Sequence, residues 1–206
     1  MKKMAEEEKR NRSAVVGIDK LYYAVLKDDT EEGATYEDMV RLLYVQNVAI
    51  ETEQEIAKAY GDNKVAEMAV STGVSTVELQ FHTVPLQDRV VLLGLEEDDD
   101  GLIIQKSQVN PPNVAIVLEK TKGDGTAELV GLAKGMFTLP ALEAQTKEDT
   151  LEFGSDTLSG EFTGRTFDDV SQVFVHVGKE DEDKRKSLMD KVFKPSADGD
   201  DGGVEG

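Results

Sequence analysis

Two-residue alternation of apolar and polar side chains is the feature that most constrains the fold of this 206-residue chain. From Val77 to His82, apolar residues occupy every second position and polar residues lie between them. Successive side chains of a β-strand point to opposite faces of its sheet, so this run predicts a half-buried strand. Val114, Ile116 and Leu118 face one way in another predicted strand, and Val173, Val175 and Val177 do so in the last one. Further strands are predicted around Leu151–Phe153 and Leu158–Phe162. The chain is therefore expected to be mainly β.

Turn and helix signals separate these strands. Gly, Asp and Asn tolerate the positive φ that tight turns need, so the runs at 60–63 (YGDN) and 122–125 (KGDG) predict turns. A short helix is predicted over Leu86–Leu93, because a Thr and a Pro precede it as start signals and Gly94 follows it. The polar run at 27–35 (KDDTEEGAT) predicts a loop.

The C-terminal region predicts a helix and a polar tail. Acidic residues at 180–183 precede basic residues at 184–186, an order that complements the helix dipole. Leu188 and Val192 form an apolar pair four positions apart, and Pro195 ends the pattern. The predicted organisation is a flexible N-terminal arm at 1–13, a β domain at 14–178, a helix at 179–194 and a disordered acidic tail at 195–206.

Residues 40–60 carry two conflicting signals. The run at 49–60 (AIETEQEIAKAY) is rich in helix formers, and propensity slightly favours a helix there. Val45, Val48 and Ile50 nevertheless lie near a sheet-like register. The residues alone leave both conformations open.

The charge of the chain excludes several functions. There are 42 acidic and 23 basic residues, and the formal net charge is -19. Nucleic-acid binding needs clustered Lys and Arg, so a surface that grips nucleic acid is excluded. The chain has no Cys, which excludes disulfides and a cysteine nucleophile. With no secretory signal and no membrane-spanning run, a soluble protein made in the cytoplasm is expected.

Few residues are candidates for chemistry. His82 and His176 are the only histidines, and we interpret them as surface or interface residues rather than a catalytic pair. The acidic runs at 96–100 and 198–201 could attract a hard cation, but the tail lacks the ligand spacing of a calcium loop. We interpret both runs as solvated charge, the first within an exposed loop at 96–101. No catalytic residue, cofactor site or metal site is predicted.

Several short motifs occur in a characteristic order. They are VGIDKLYYA at 16–24, YGDN at 60–63, LLG at 92–94, LAKGMF at 132–137 followed by Leu139-Pro140, and TKEDT at 146–150. In this order and spacing, between about Ser13 and about Val177, the chain resembles the major tail proteins (tail tube proteins) of long non-contractile-tailed bacteriophages. At 39–45 the chain has MVRLLYV, where these proteins are expected to carry a loop with Pro and Gly.

The resemblance implies an antiparallel β-sandwich with one flanking short α-helix, and an extended hairpin rather than a helix at 40–63. It implies hexameric rings stacked into a tube and no catalytic residues. The implied partners are other copies of the chain, a tape-measure protein, and tail-terminator and tip proteins. DNA would pass through the lumen without specific binding, and no membrane is involved. The implied location is the virion tail, after synthesis in the cytoplasm of the host bacterium.

The charge fits this role. A ring of six chains would carry a formal charge of -114, six times the -19 of one chain, and a lumen of that sign would repel DNA phosphates. Residues 1–12 have a net charge of +2, whereas residues 195–206 hold four acids and no base. We therefore hypothesise that these two segments meet between rings.

Two other functions remain open from the sequence. A β-sandwich recognition module, carbohydrate-binding or adhesin-like, would need aromatic platforms on one exposed face. That is hard to build with 6% aromatic residues and no Trp. An enzyme that uses His82 or His176 has the least support.

Overall fold

The computed structural model describes residues 13–61, 64–138, 155–179 and 181–195. Strands and two helices make up most of these ranges. Residues 1–12 of the predicted N-terminal arm, the strand predicted around Leu151–Phe153 and residues 196–206 of the predicted tail lie outside them. The elements are β1 (Val15–Thr30), β2 (Gly33–Tyr36), β3 (Val40–Leu42), β4 (Val45–Gly61), β5 (Lys64–Phe81), α1 (Leu86–Leu93), β6 (Glu96–Glu97), β7 (Ile103–Ile104), β8 (Val114–Lys122), β9 (Ala127–Thr138), β10 (Asp156–Thr163), β11 (Gln172–Val177) and α2 (Glu182–Phe193).

One antiparallel nine-stranded sheet forms the body of the protein. Its strand order is β2-β1-β8-β9-β10-β5-β4, and β3 also pairs with β1 while β11 also pairs with β9. Residues from both ends of this order meet in one buried cluster, so the sheet folds over itself with its two halves facing each other. The first layer consists of β3, β1, β8, the start of β9 and β11, and the second of β10, β5 and β4. The expected antiparallel β-sandwich is therefore confirmed.

The main core lies between the two layers. The alternation that predicted β5 is confirmed, because Val77, Leu79 and Phe81 are fully buried. Strand β8 is buried on both faces, whereas its sequence had predicted only one apolar face. The second face is also buried because helix α2 covers it. The core cluster comprises Leu21, Tyr23, Leu42, Val77, Leu79, Phe81, Val84, Leu92, Leu93, Val114, Ile116, Leu118, Val130, Leu132, Phe137, Leu158 and Phe162.

Helix α2 covers the outer face of the first layer. Leu188, Val192 and Phe193 pack there against small side chains of β1 and β8, such as Ala24 and Ala115. At Gly131 the sheet has no side chain at all. A Cβ at that position would come within 2.5 Å of the Val192 side chain. The glycine therefore lets the helix lie directly on the sheet.

Charged contacts fix α2 at its C-terminal end. The buried guanidinium of Arg165 donates hydrogen bonds to the main-chain oxygens of Lys191 and Val192, both at 2.9 Å. The same group binds both carboxylate oxygens of Asp168. A cation at the C-terminus of a helix binds carbonyls that have no partner within the helix.

A second ion pair fixes the other end of α2. Arg185, one turn into the helix, donates to Glu119 on β8 at 2.7 Å. Glu119 is buried and its other oxygen lies 3.5 Å from Lys20. A buried carboxylate needs such compensation, so these contacts fix the position of the helix along the sheet.

Helix α1 has the bounds that its start and stop signals predicted. Pro85 occupies the N-cap position, and Gly94 ends the helix with φ of 62°. A Cβ at Gly94 would lie 2.4 Å from the Asn110 carbonyl oxygen, so only glycine fits there. Leu92 and Leu93 close one side of the core.

Three predictions made from local sequence need correction or resolution. The expected loop at 27–35 is mostly a hairpin, because β1 runs to Thr30 and pairs with β2 from Gly33. Residues 45–61 form strand β4, so the helix favoured by propensity is wrong and the extended hairpin is confirmed. Within the acidic loop at 96–101, Glu96 and Glu97 form a two-residue strand paired with β7. In each case hydrogen bonding to a neighbouring strand outweighs local propensity.

Candidate assembly surfaces

Strands β4 and β5 form a ribbon that extends well beyond the sandwich. Their pairing runs from Val45 opposite Phe81 to Gly61 opposite Lys64. Only the first part of the ribbon touches the core, through residues such as Val48 and Ile50. The part beyond Gln54 is exposed on both faces, where its side chains are described. We call residues 54–61 and 64–72 the arm, which is distinct from the N-terminal arm predicted at 1–13.

A polar cluster marks the point where the arm leaves the body. The amide nitrogen of Gln172, the first residue of β11, donates to Thr52 Oγ1 at 2.9 Å and to Ser75 Oγ at 2.7 Å. The two hydroxyls lie 3.0 Å apart, and Ser75 is fully buried. This cluster joins the two layers of the sandwich at their last point of contact in the described residues.

Strand β5 bulges next to this cluster. Thr52 pairs with Ser75 and Gln54 with Thr72, so β5 has one more residue than β4 between the two pairs. A bulge increases the local twist of a strand and bends it. It therefore turns the arm relative to the sandwich.

The arm carries an apolar face. Ile56 is 56% exposed and Val70, directly opposite it on β5, is 61% exposed. Met68, opposite Lys58, lies on the same face of the ribbon. Alternation along β4 from Ile50, which is half-buried against the core, places Ile56 on the side of the ribbon that is continuous with the core. The arm thus extends the inner face of the sandwich into solvent.

The opposite face of the same ribbon is acidic. Between Asn47 and Ala57, the outward positions of β4 and their partners on β5 and β10 hold no Lys or Arg. The remaining side chains on this face are mostly small or hydroxylated, such as Thr76 and Ser159. We call this surface the glutamate face, and its exposed acids are Glu51, Glu53, Glu55, Glu78 and Glu161.

The sequence contained a signal for the glutamate face that we did not use. Glu51, Glu53 and Glu55 alternate with Ile50, Thr52 and Gln54 in period two. That spacing puts three acids on one face of a strand. Glu78 and Glu161 join them only through strand pairing, which local sequence does not show.

The candidates for chemistry are not brought together. His82 follows β5 at the end of the sheet where Phe81 pairs with Asp156, whereas His176 pairs with Glu128 near the opposite end. In the acidic run at 96–100, the Asp98 carboxylate accepts hydrogen bonds from the Asp100 and Leu102 amides and shapes a turn. No group of three or more possible metal ligands occurs within the ranges that the structure describes. The run at 198–201 lies outside them.

Two carboxylates on the helix-covered side have strongly lowered pKa values. Burial raises the pKa of Asp29, but hydrogen bonds from Lys134 and the main chain of 166–167 outweigh it and lower the pKa to about 2. For Asp168, burial is likewise outweighed by Arg165 and Lys191, and the pKa is again lowered to about 2. Both carboxylates have structural partners, so these shifts reflect anchoring of the fold.

Exposed apolar residues also occur at the other end of the sandwich. Strands β3 and β4 are joined by the turn Leu43–Tyr44, and Tyr44 is 71% exposed. Its φ is 62°, a left-handed conformation that is strained for an aromatic residue. A main-chain hydrogen bond from His82 to the Tyr44 oxygen, at 3.0 Å, helps to hold this turn.

These surfaces define a class of protein that acts by binding other protein chains. The open ribbon, its apolar face and the strained apolar turn are typical of assembly surfaces. A sequence model described as phage tail tube protein matches residues 46–199, and the chain belongs to this family. The chain matches no curated protein. Neither helix in the described ranges is long and apolar enough to cross a bilayer.

Family membership defines the general role. The protein is a structural component of a phage tail, and the role that this family implies is not enzymatic. It also indicates that the chain assembles with itself and with other tail proteins into a tube. The resemblance seen in the sequence is therefore confirmed.

Proposed function

We propose that this protein forms hexameric rings that stack into a tube, with the glutamate face lining a conduit for DNA. The single observation that carries the lining assignment is the contrast between the two outer faces of the sandwich. One is covered by α2, whereas no described element covers the other, which is mostly exposed and free of Lys and Arg over the rows from Asn47 to Ala57. DNA needs a surface that offers no cationic site, because a phosphate held by Lys or Arg would slow its passage.

The position of the face on the fold supports this role. It belongs to three neighbouring strands, β4, β5 and β10, so six copies could join these strands into one continuous inner wall. Among the described strands β4 lies at the edge of the sheet, so its outer side could pair with another chain. A ring built in this way uses heterologous contacts that close on themselves.

Recognition of glycans has less support. It would need several aromatic side chains on one exposed face. The described aromatic residues that are more than half exposed, Tyr44 and Phe174, lie at opposite ends of the molecule. They cannot form one binding platform.

Cysteine labelling of assembled protein tests the lining. The chain has no Cys, so single substitutions give one reactive thiol each. Thr76→Cys places the thiol between Glu51 and Glu161, and Ser187→Cys places a matched thiol on the exposed side of α2. We expect a bulky maleimide to label both unassembled variants, but only the Ser187→Cys variant after tubes have formed.

Electron microscopy of the same samples provides the second measurement. Tubes with a central channel are expected for both variants. Equal labelling of the two thiols in intact tubes would show that another face lines the channel. A native protein that forms neither rings nor tubes would overturn the whole proposal.

A further inference from the structure

The inner faces of the two layers separate beyond Gln172. On one side, Ile56 and Val70 of the arm continue the inner face of the second layer and are each more than half exposed. On the other side, Phe174 on β11 pairs with the core residue Val130, so it lies on the inner face of the first layer. Phe174 is nevertheless 61% exposed. Within the described residues, the sandwich therefore ends in an open cleft with apolar side chains on both walls, lined by Ile56, Met68, Val70 and Phe174.

The opposite end of the molecule carries an apolar projection. The turn Leu43–Tyr44 immediately precedes Val45, the first residue of β4, and Ile56 lies eleven positions after Val45. At about 3.3 Å per residue, some 36 Å of strand separate the turn from the cleft. Leu86, at the start of α1, is also exposed at the turn end, next to the end of β5.

The geometry points to one occupant for the cleft: we infer that it receives the Leu43–Tyr44 turn of a second copy of this chain. The inference rests on the proposed tube, since it assigns the contact between successive rings. A copy shifted along the strand axis brings its turn end to the cleft end of its neighbour. Two different patches at opposite ends produce open stacking rather than a closed pair.

The strained turn fits this role better than a role in folding. An exposed Tyr at φ of 62° destabilises the isolated chain, and Gly would adopt the same conformation without strain. Strain at an exposed position is typically retained for contacts made elsewhere. Tyr supplies a large, rigid contact area and is enriched at protein interfaces.

Charge supports the same head-to-tail direction. Ser13 and Ala14 contact the β8–β9 turn at the cleft end, so residues 1–12, with a net charge of +2, leave from that end. Helix α2 begins beside Gly178 and runs back to Arg165, so the four acids after Pro195 leave from its far end. In stacked copies, the ends of the described chain from which these oppositely charged segments continue would face each other.

Segments of the same chain are weaker candidates for the cleft. Residues 1–12 contain only two Met and one Ala as apolar residues, and residues 196–206 only one Ala and one Val. Residues 139–154 contain Leu and Phe, but the described residues on either side of them, Thr138 and Ser155, lie at the turn end of the sheet and not at the cleft.

Disulfide trapping between two variants tests the contact directly. One protein carries Tyr44→Cys and the other Val70→Cys, and they are mixed, assembled and oxidised. We expect a crosslinked dimer of the two chains. Leu102→Cys on the β6–β7 ribbon, also more than half exposed, is the control partner for the Val70→Cys protein. Crosslinking no stronger than with this control would overturn the inference.

The Tyr44→Gly variant separates assembly from folding. We expect its thermal unfolding midpoint to be unchanged or raised, because the strain is relieved, while tubes are lost and single rings remain. Tubes as long and abundant as those of the native protein would overturn the docking contact but leave the proposed tube intact. If rings as well as tubes were lost while the unfolding midpoint stayed unchanged, the turn would be needed for contacts within a ring. That result would also overturn the docking contact.

Discussion

The two outer faces of the sandwich are both formed by every second residue of their strands, but they have different roles. On the face under α2, the outward positions hold small apolar residues such as Ala115 and Gly131, and a helix packs on them. On the glutamate face, the outward positions hold Glu, Thr and Ser, and they stay exposed. The comparison teaches that a sheet position contributes to stability only when something packs on it.

This difference predicts where substitutions affect stability. Residues that hold α2 are expected to contribute strongly to the free energy of unfolding. Residues of the glutamate face are expected to contribute little to stability. They are expected instead to affect the passage of DNA along this face. Four experiments, from the largest expected effect to the smallest, test this division.

Arg165→Ala should have the largest effect. The substitution leaves the carboxylate of Asp168 and the carbonyl oxygens of Lys191 and Val192 without their buried cation. Removing one partner of a buried ion pair costs about 3–5 kcal/mol of unfolding free energy. Chemical denaturation measures it. Arg41→Ala, at an exposed arginine, is the control and should change stability by less than about 0.5 kcal/mol.

Acid should weaken the helix-covered side next. Asp29 and Asp168 have pKa values lowered to about 2, below those of the unfolded chain. Their carboxylates therefore stabilise the fold fully at neutral pH, and this contribution is lost as the pH falls from about 4 to about 2. Allowing for solvent screening, about 1–2 kcal/mol is expected for each.

Urea unfolding at several pH values checks this contribution. The double variant Asp29→Asn and Asp168→Asn should be less stable than the native protein at pH 7, and the difference should shrink toward pH 2. A difference that stays constant over this range would contradict the assignment.

Gly131→Ala should have an intermediate effect. The new methyl group would lie within 2.5 Å of Val192 and would push α2 away from the sheet. Overpacking of this kind costs about 1–3 kcal/mol. Adding Val192→Ala should recover part of the loss, which a double-mutant cycle measures. At Gly33 nothing lies within 4 Å of a new Cβ, so Gly33→Ala should leave stability nearly unchanged.

Neutralising the glutamate face should affect stability least. Glu51→Gln, Glu53→Gln and Glu55→Gln together remove three exposed charges that have no described ion pair. Each should change the unfolding free energy by less than about 0.5 kcal/mol. Replacement of the same residues by Lys should make assembled tubes retain DNA in a sedimentation assay at low salt. Strong destabilisation by the Gln variant would contradict the division between the faces.

Local sequence predicted the elements whose signals are short-range. Helix α1 was correct because its start and stop residues act within one turn, and β5 was correct near Val77 because one of its faces is buried. For residues 49–60, helix propensity predicted the wrong conformation, because pairing with β5 makes them a strand. There the family resemblance, and not the residues, indicated the hairpin.

The surfaces were harder to predict than the fold. Two partners of Arg165 are main-chain carbonyls on α2, 26 and 27 residues further along the chain, and no residue type identifies a carbonyl. The strain at Tyr44 is a backbone property that appears only when the turn is built. The glutamate face was partly visible, because three of its acids alternate along one strand.

The pairing of β1 with β8 has a consequence for how the chain is made. Leu21 pairs with Leu118, so β1 leaves the ribosome early but can pair with β8 only after more than half of the chain has been made. The β4–β5 hairpin needs only neighbouring residues and can form much earlier. Newly made chains would then display the apolar arm before the sandwich closes around its core. The like charges of the glutamate face would keep such unfinished chains apart until each has folded.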